Sequence, residues 1–139
     1  MQSLSREVAR YILPMAESPP PNAAGGTPSA GWDGVRELPP ALFAARRSAG
    51  DLLRLVDVRE PWEWDLVRLD GATHLPLAGF ARAAAALDPS EEIVLYCHHG
   101  VRSLAAANYL STLGFRRLWN LSGGIDRYAG EVDPTLPRY

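Results

Sequence analysis

Cys97 is the only cysteine in this 139-residue chain, and it opens the run Cys97-His98-His99-Gly100-Val101-Arg102-Ser103. A thiolate is a nucleophile, and peptide N–H groups in a loop and at the start of a following helix surround it with positive potential. A lone cysteine is most often a small buried hydrophobe, so its neighbours must carry the reading. Two histidines, a glycine and an arginine are poor choices for a buried connection, but they fit an anion pocket at a helix start. Arg102 can orient an oxyanion through paired hydrogen bonds or can pin the loop to the rest of the domain. His98 and His99 can add charge or proton-transfer capacity, or can simply shape access.

These residues need an element on each side. Upstream, residues 92–96 are short, apolar and β-branched, which suits a buried strand ending at Cys97. Downstream, Leu104, Ala107, Leu110 and Leu113 recur at helical spacing, with Gly114 as a stop, so a helix is predicted from Ser103 to Leu113. The unit reads strand, loop, helix, and the loop lies where an open α/β sheet binds its ligands.

The rest of the chain supplies the scaffold. Strands are predicted at residues 35–38, 52–58, 73–75 and 117–121, and helices at 40–48, 61–67, 79–87 and 125–131. This alternation with short connections implies a parallel sheet of about five strands covered by helices on both faces. Residues 1–17 read as an amphipathic helix interrupted near Pro14, residues 18–33 as a Pro/Gly-rich arm, and residues 34–139 as the catalytic domain. The tail from residue 133 is expected to drape over the surface.

Asp57 and Arg59, at the end of the first strong strand, read as an ion-paired brace beside the loop. Trp62 and Trp64 read as packing groups, Gly123 and Gly124 as a tight turn near the loop, and Glu91 and Glu92 as a solvated strand start.

Composition narrows the function. A net charge of −2 lacks the basic footprint of a nucleic-acid binder. All 14 cationic residues are arginine, so lysine Schiff-base chemistry and a Walker-type phosphate lysine are excluded. Cys97, His98 and His99 are adjacent, without the separated second half of a zinc ligand set, so neither metal nor cofactor is expected. No apolar run approaches the roughly 20 residues that cross a bilayer, and residues 1–30 lack the order of a signal peptide, so no membrane contact and a cytoplasmic location are expected.

The six-residue loop from Cys97 to Arg102 resembles that of the rhodanese-type sulfurtransferases. The resemblance extends through Asp57-Val58-Arg59-Glu60, the Gly71-Ala72 segment and the run Leu121-Ser122-Gly123-Gly124-Ile125. Residues 67–70 depart from the Gly-His-Ile-Pro common in that family. Tyrosine phosphatases carry their arginine one residue later, where this chain has Ser103. The resemblance implies a rhodanese-like three-layer fold and thiosulfate sulfurtransferase activity through a Cys97 persulfide. Loop residues from His98 to Ser103 would then hold the sulfur, with a thiophilic acceptor taking it. It is similar in particular to domains appended to enzymes that activate sulfur-carrier proteins. That likeness admits a second role: relaying sulfur from a cysteine desulfurase to such a carrier. A non-catalytic docking module is the alternative from another class.

Overall fold

The computed structural model describes residues 30–139. The predicted amino-terminal helix and most of the predicted arm lie outside the described residues.

The sheet has five parallel strands: β1 (Val35–Leu38), β2 (Arg54–Asp57), β3 (Thr73–His74), β4 (Ile93–Tyr96) and β5 (Leu118–Leu121), in the order β1-β5-β4-β2-β3. Between them run α1 (Pro40–Ser48), α2 (Pro61–Leu66), α3 (Phe80–Ala83, continued by a 3₁₀ turn at Ala84–Ala86) and α4 (Val101–Thr112). The last helix, α5 (Gly124–Glu131), follows β5.

A β-strand turns alternate side chains to opposite faces, and both faces here are apolar. Ile93, Leu95 and Cys97 join Val56, Phe80, Ala107, Leu110 and Leu118 in the core beneath α3 and α4. Val94 and Tyr96 face the other way, into a core with Leu42, Phe43, Trp119, Leu121 and Ile125 beneath α1 and α5. The result is the expected three-layer α/β arrangement, with β4 central and buried along its whole length.

Several boundaries differ from the sequence reading. The strand predicted at 52–58 forms its ladder only over Arg54–Asp57. The alanine-rich segment makes one α-helical turn and then tightens to 3₁₀, because Leu87 turns extended just before Asp88 and Pro89. The helix after Cys97 starts at Val101 rather than Ser103, with Gly100 at φ +103° as its N-cap. Val101, Arg102 and Ser103 therefore form its first turn, and only residues 97–100 are loop.

Glu92 is not a solvated strand start. It is 8% exposed and accepts hydrogen bonds from Arg46, Arg117 and the Trp119 indole. Burial alone would raise its pKa, but the bonds from Arg46 and Trp119 outweigh that and lower it. Glu91 does remain at the surface, paired with Arg54.

Candidate active site

β4 delivers Cys97 to the carboxyl end of the sheet, and α4 begins four residues later. The Cys97 Sγ accepts hydrogen bonds from the Gly100 N–H at 3.1 Å and the Ser103 N–H at 3.4 Å. Both donors belong to the start of a 12-residue helix, so bond dipoles and helix dipole point positively at the sulfur. The Ser103 hydroxyl lies 3.4 Å from Sγ and 2.6 Å from the Asn120 Oδ1. A hydroxyl has one proton, so it can serve Asn120 or turn toward an anionic sulfur.

Asn120 fixes that serine. Its amide donates to both Glu37 carboxylate oxygens and to the Gly100 carbonyl, which sets the side chain's orientation and leaves Oδ1 facing Ser103. The loop's own carbonyls are held from below. The N–H groups of Ile125 and Asp126, at the start of α5, donate to the carbonyls of Cys97 and His98 at 2.9 and 3.1 Å. Such an approach leaves no room for a side chain: a Cβ on Gly124 would stand 2.3 Å from the His98 oxygen and 2.5 Å from that of Cys97. Gly123 and Gly124 thus make the tight turn expected of them, with φ of +73° and +63°.

Asp57 and Arg59 form the expected ion pair, fully buried, with Arg59 Nη2 donating at 2.7 Å and Nε at 3.0 Å. Burial would lower the arginine's pKa, but the Asp57 carboxylate outweighs it and the guanidinium stays charged. Arg59 also donates to the Tyr139 hydroxyl at 2.9 Å.

Arg102 takes the pinning arrangement. Nη1 and Nη2 donate to the two Glu63 oxygens at 2.7 and 2.9 Å, a forked pair that joins α4 to α2. Glu63 is 2% exposed and also receives bonds from the Glu60 N–H and the Tyr139 hydroxyl. Burial alone would raise its pKa, but the bonds from Arg102, Tyr139 and Glu60 push it down to about 2. Tyr139 moves the other way, up to about 12, through burial and the carboxylate it serves.

The tail does not simply drape over the surface. The Tyr139 ring stacks on His98, with centroids 3.9 Å apart and an interplanar angle of 9°, and meets Trp62 edge-on. His98 is half-buried, and burial followed by its neighbour His99 lowers its pKa. Trp62 is exposed, while Trp64 stacks on His74. His99 projects outward, 3.7 Å from Asp126. Among the described residues His98, His99 and Asp126 bring one ligand atom each within 4.8 Å of one another, a grouping that sequence spacing conceals. The Asp126 carboxylate is already engaged by Arg138 at 3.1 Å.

Cys97 itself is 1% exposed. A side chain closed to water is closed to a second sulfur atom, so chemistry there requires local opening of the mouth.

The sequence reading missed Glu37, Glu63, Asn120 and Tyr139. Asn120 carries a signal, being the one polar residue in the apolar strand Leu118–Leu121. Glu63 sits three residues after the helix-capping Glu60, a spacing that marks a helix start but says nothing of Arg102. Tyr139 has no local signal.

Comparison with known proteins places this geometry. The family profile described as "Rhodanese-like domain" matches residues 39–131. A probable adenylyltransferase/sulfurtransferase of Mycobacterium tuberculosis, MoeZ, is 39% identical over 93 residues, covering 66% of this chain and 24% of that protein. The thiosulfate sulfurtransferase GlpE of Stutzerimonas stutzeri is 32% identical over 91 residues, covering 66% of this chain and 82% of that one. Among solved structures, a rhodanese-related protein of Thermoplasma volcanium superposes with a TM-score of 0.63 at 27% identity, covering 70% of this chain and 93% of that chain. The chain therefore spans about a quarter of the length of the mycobacterial relative and most of the length of the smaller ones.

Proposed function

The chain belongs to the rhodanese-like domain family, and from that premise we propose that it is a sulfurtransferase in which Cys97 carries sulfane sulfur as a persulfide. One observation carries the reading: the Gly100 and Ser103 amides converge on Sγ at the N-terminus of α4. These donors stabilise negative charge on the Cys97 thiolate before transfer and again when an acceptor returns it.

With thiosulfate as donor, the Cys97 thiolate attacks the outer sulfur. A Cys97 S–S bond forms, the donor's S–S bond breaks, and sulfite leaves with the electron pair. A thiophile then attacks the terminal sulfur and returns the thiolate, so one transfer is divided into two easier steps. No external oxidant is consumed. Asn120 holds the Ser103 hydroxyl 3.4 Å from Sγ, positioned to turn its one proton from Asn120 to the sulfur when the sulfur carries charge.

Residues 34–139 form the transferase domain in this reading, and a reducing, cytoplasmic compartment suits its unpaired thiol. Relay of sulfur from a cysteine desulfurase to a sulfur-carrier protein is the second reading of the same chemistry, and the likeness to MoeZ, a probable adenylyltransferase/sulfurtransferase, supports its sulfur-transfer part. A thiosulfate:cyanide assay on wild type and Cys97→Ala tests the proposal. Thiocyanate formation by wild type alone is expected, and equal rates from the two proteins would end it.

A further inference from the structure

Among the described residues, each arginine beside the Cys97 loop has a carboxylate of its own. Arg59 is spent on Asp57, Arg138 on Asp126, and Arg102 on Glu63. The last pair decides what the loop offers an incoming ligand, because Arg102 stands in the same helical turn as the Ser103 amide that faces Sγ. Both of its terminal nitrogens are taken, and the side chain as a whole is still about a third exposed. Glu63 is held in place by four donors from three directions: two from Arg102, one from the Glu60 amide and one from Tyr139. It does not swing away at the cost of a single weak bond. His98 adds little charge, since burial and then His99 lower its pKa.

A dianion gains most from an uncompensated guanidinium, and this mouth presents a cancelled pair instead. Resting on the sulfur-transfer reading above, we propose that Glu63 is a specificity-determining residue. By cancelling Arg102 beside Cys97, it sets the site to take sulfur from singly charged thiol persulfides in preference to the thiosulfate dianion. The step is balanced. The Cys97 thiolate attacks the outer sulfur of R–S–S⁻, a Cys97 S–S bond forms, the donor's S–S bond breaks, and R–S⁻ leaves with the pair.

Because Cys97 is the sole cysteine, its alkylation measures the local field without any assumption about the reaction. Iodoacetate and iodoacetamide share a mechanism and differ by one negative charge. Glu63→Gln leaves the mouth one charge more positive and is expected to raise the iodoacetate-to-iodoacetamide rate ratio about fivefold, the scale of one charge acting through partly aqueous surroundings. Arg102→Gln is expected to lower the ratio, and the double variant to return it to the wild-type value. Wild type needs no substitution for its own test: its ratio changes by less than about twofold from low to high salt if the pair is cancelled.

In parallel, loading of Cys97 from thiosulfate and from cysteine persulfide is followed by mass spectrometry. The thiosulfate-to-persulfide rate ratio is expected to rise in Glu63→Gln. An unchanged or lowered ratio in that variant, or a strong fall of the wild-type alkylation ratio with salt, overturns the proposal. Failure of both donors to load wild-type Cys97 overturns the sulfur-transfer reading instead, and the alkylation series still reports on the charge pair.

Discussion

Replacing Gly124 with alanine tests the support of the Cys97 loop. The new Cβ would stand 2.3 Å from the His98 oxygen and 2.5 Å from the Cys97 oxygen, where a relaxed carbon–oxygen contact is about 3.3 Å, so something must move by about 1 Å. Two costs add. A non-glycine residue at φ +63° loses about 1–2 kcal/mol, and overpacking against backbone costs about 1–3 kcal/mol more. Gly50, also left-handed at φ +87° but with nothing within 4 Å of its Cβ position, isolates the first cost. Urea unfolding should show Gly124→Ala destabilised by about 2–5 kcal/mol and Gly50→Ala by about 1–2 kcal/mol. The same displacement strains the Ile125 and Asp126 hydrogen bonds that hold the loop, so sulfur transfer should fall about 100-fold in the first variant and stay near wild type in the second. Equal losses of stability in the two variants, or a fully active Gly124→Ala protein, would refute the close approach of α5 to the loop.

Three further outcomes are expected. Glu63 titrates near 2 in the folded protein against 4.5 for an ordinary glutamate; its contribution, about 3 kcal/mol, is present above pH 4.5 and lost as pH falls toward 2. Acid unfolding of wild type should therefore steepen in that window, and Glu63→Gln should flatten it. Arg59→Ala leaves the fully buried Asp57 without its cation and should cost about 3–5 kcal/mol by chemical denaturation, while replacing both partners with apolar residues of similar volume recovers much of that loss. Asn120→Ala frees the Ser103 hydroxyl and should slow turnover about fivefold to tenfold, the worth of one positioning hydrogen bond, with little change in helix content by circular dichroism.

What was readable in the sequence was local. The β4–Cys97–α4 unit shows itself because a β-branched run, a turn and a helical repeat follow one another within about 20 residues, and each has its own period. The Asp57–Arg59 pair lies two residues apart, so its geometry follows from one strand end. The start of α4 was misplaced because Val101 and Arg102 belong equally well in a loop or in a first helical turn, and Gly100 alone decides between them. Glu92, Glu63 and Tyr139 were misjudged or missed for a different reason. Their partners on other elements come from 25 to 80 residues away, and no periodicity records a contact between elements that meet only when the sheet is assembled. The charge at the mouth is accordingly a property of the fold, although the nucleophile and its helix are properties of one short segment.

The central claim is that peptide donors at the start of α4 make Cys97 a reversible carrier of one sulfur atom. Mass spectrometry of the intact protein after donor treatment tests it most directly. One added sulfur located on Cys97, removed on addition of cyanide, is the predicted result. A protein that turns over donor and acceptor while Cys97 stays unmodified would contradict it.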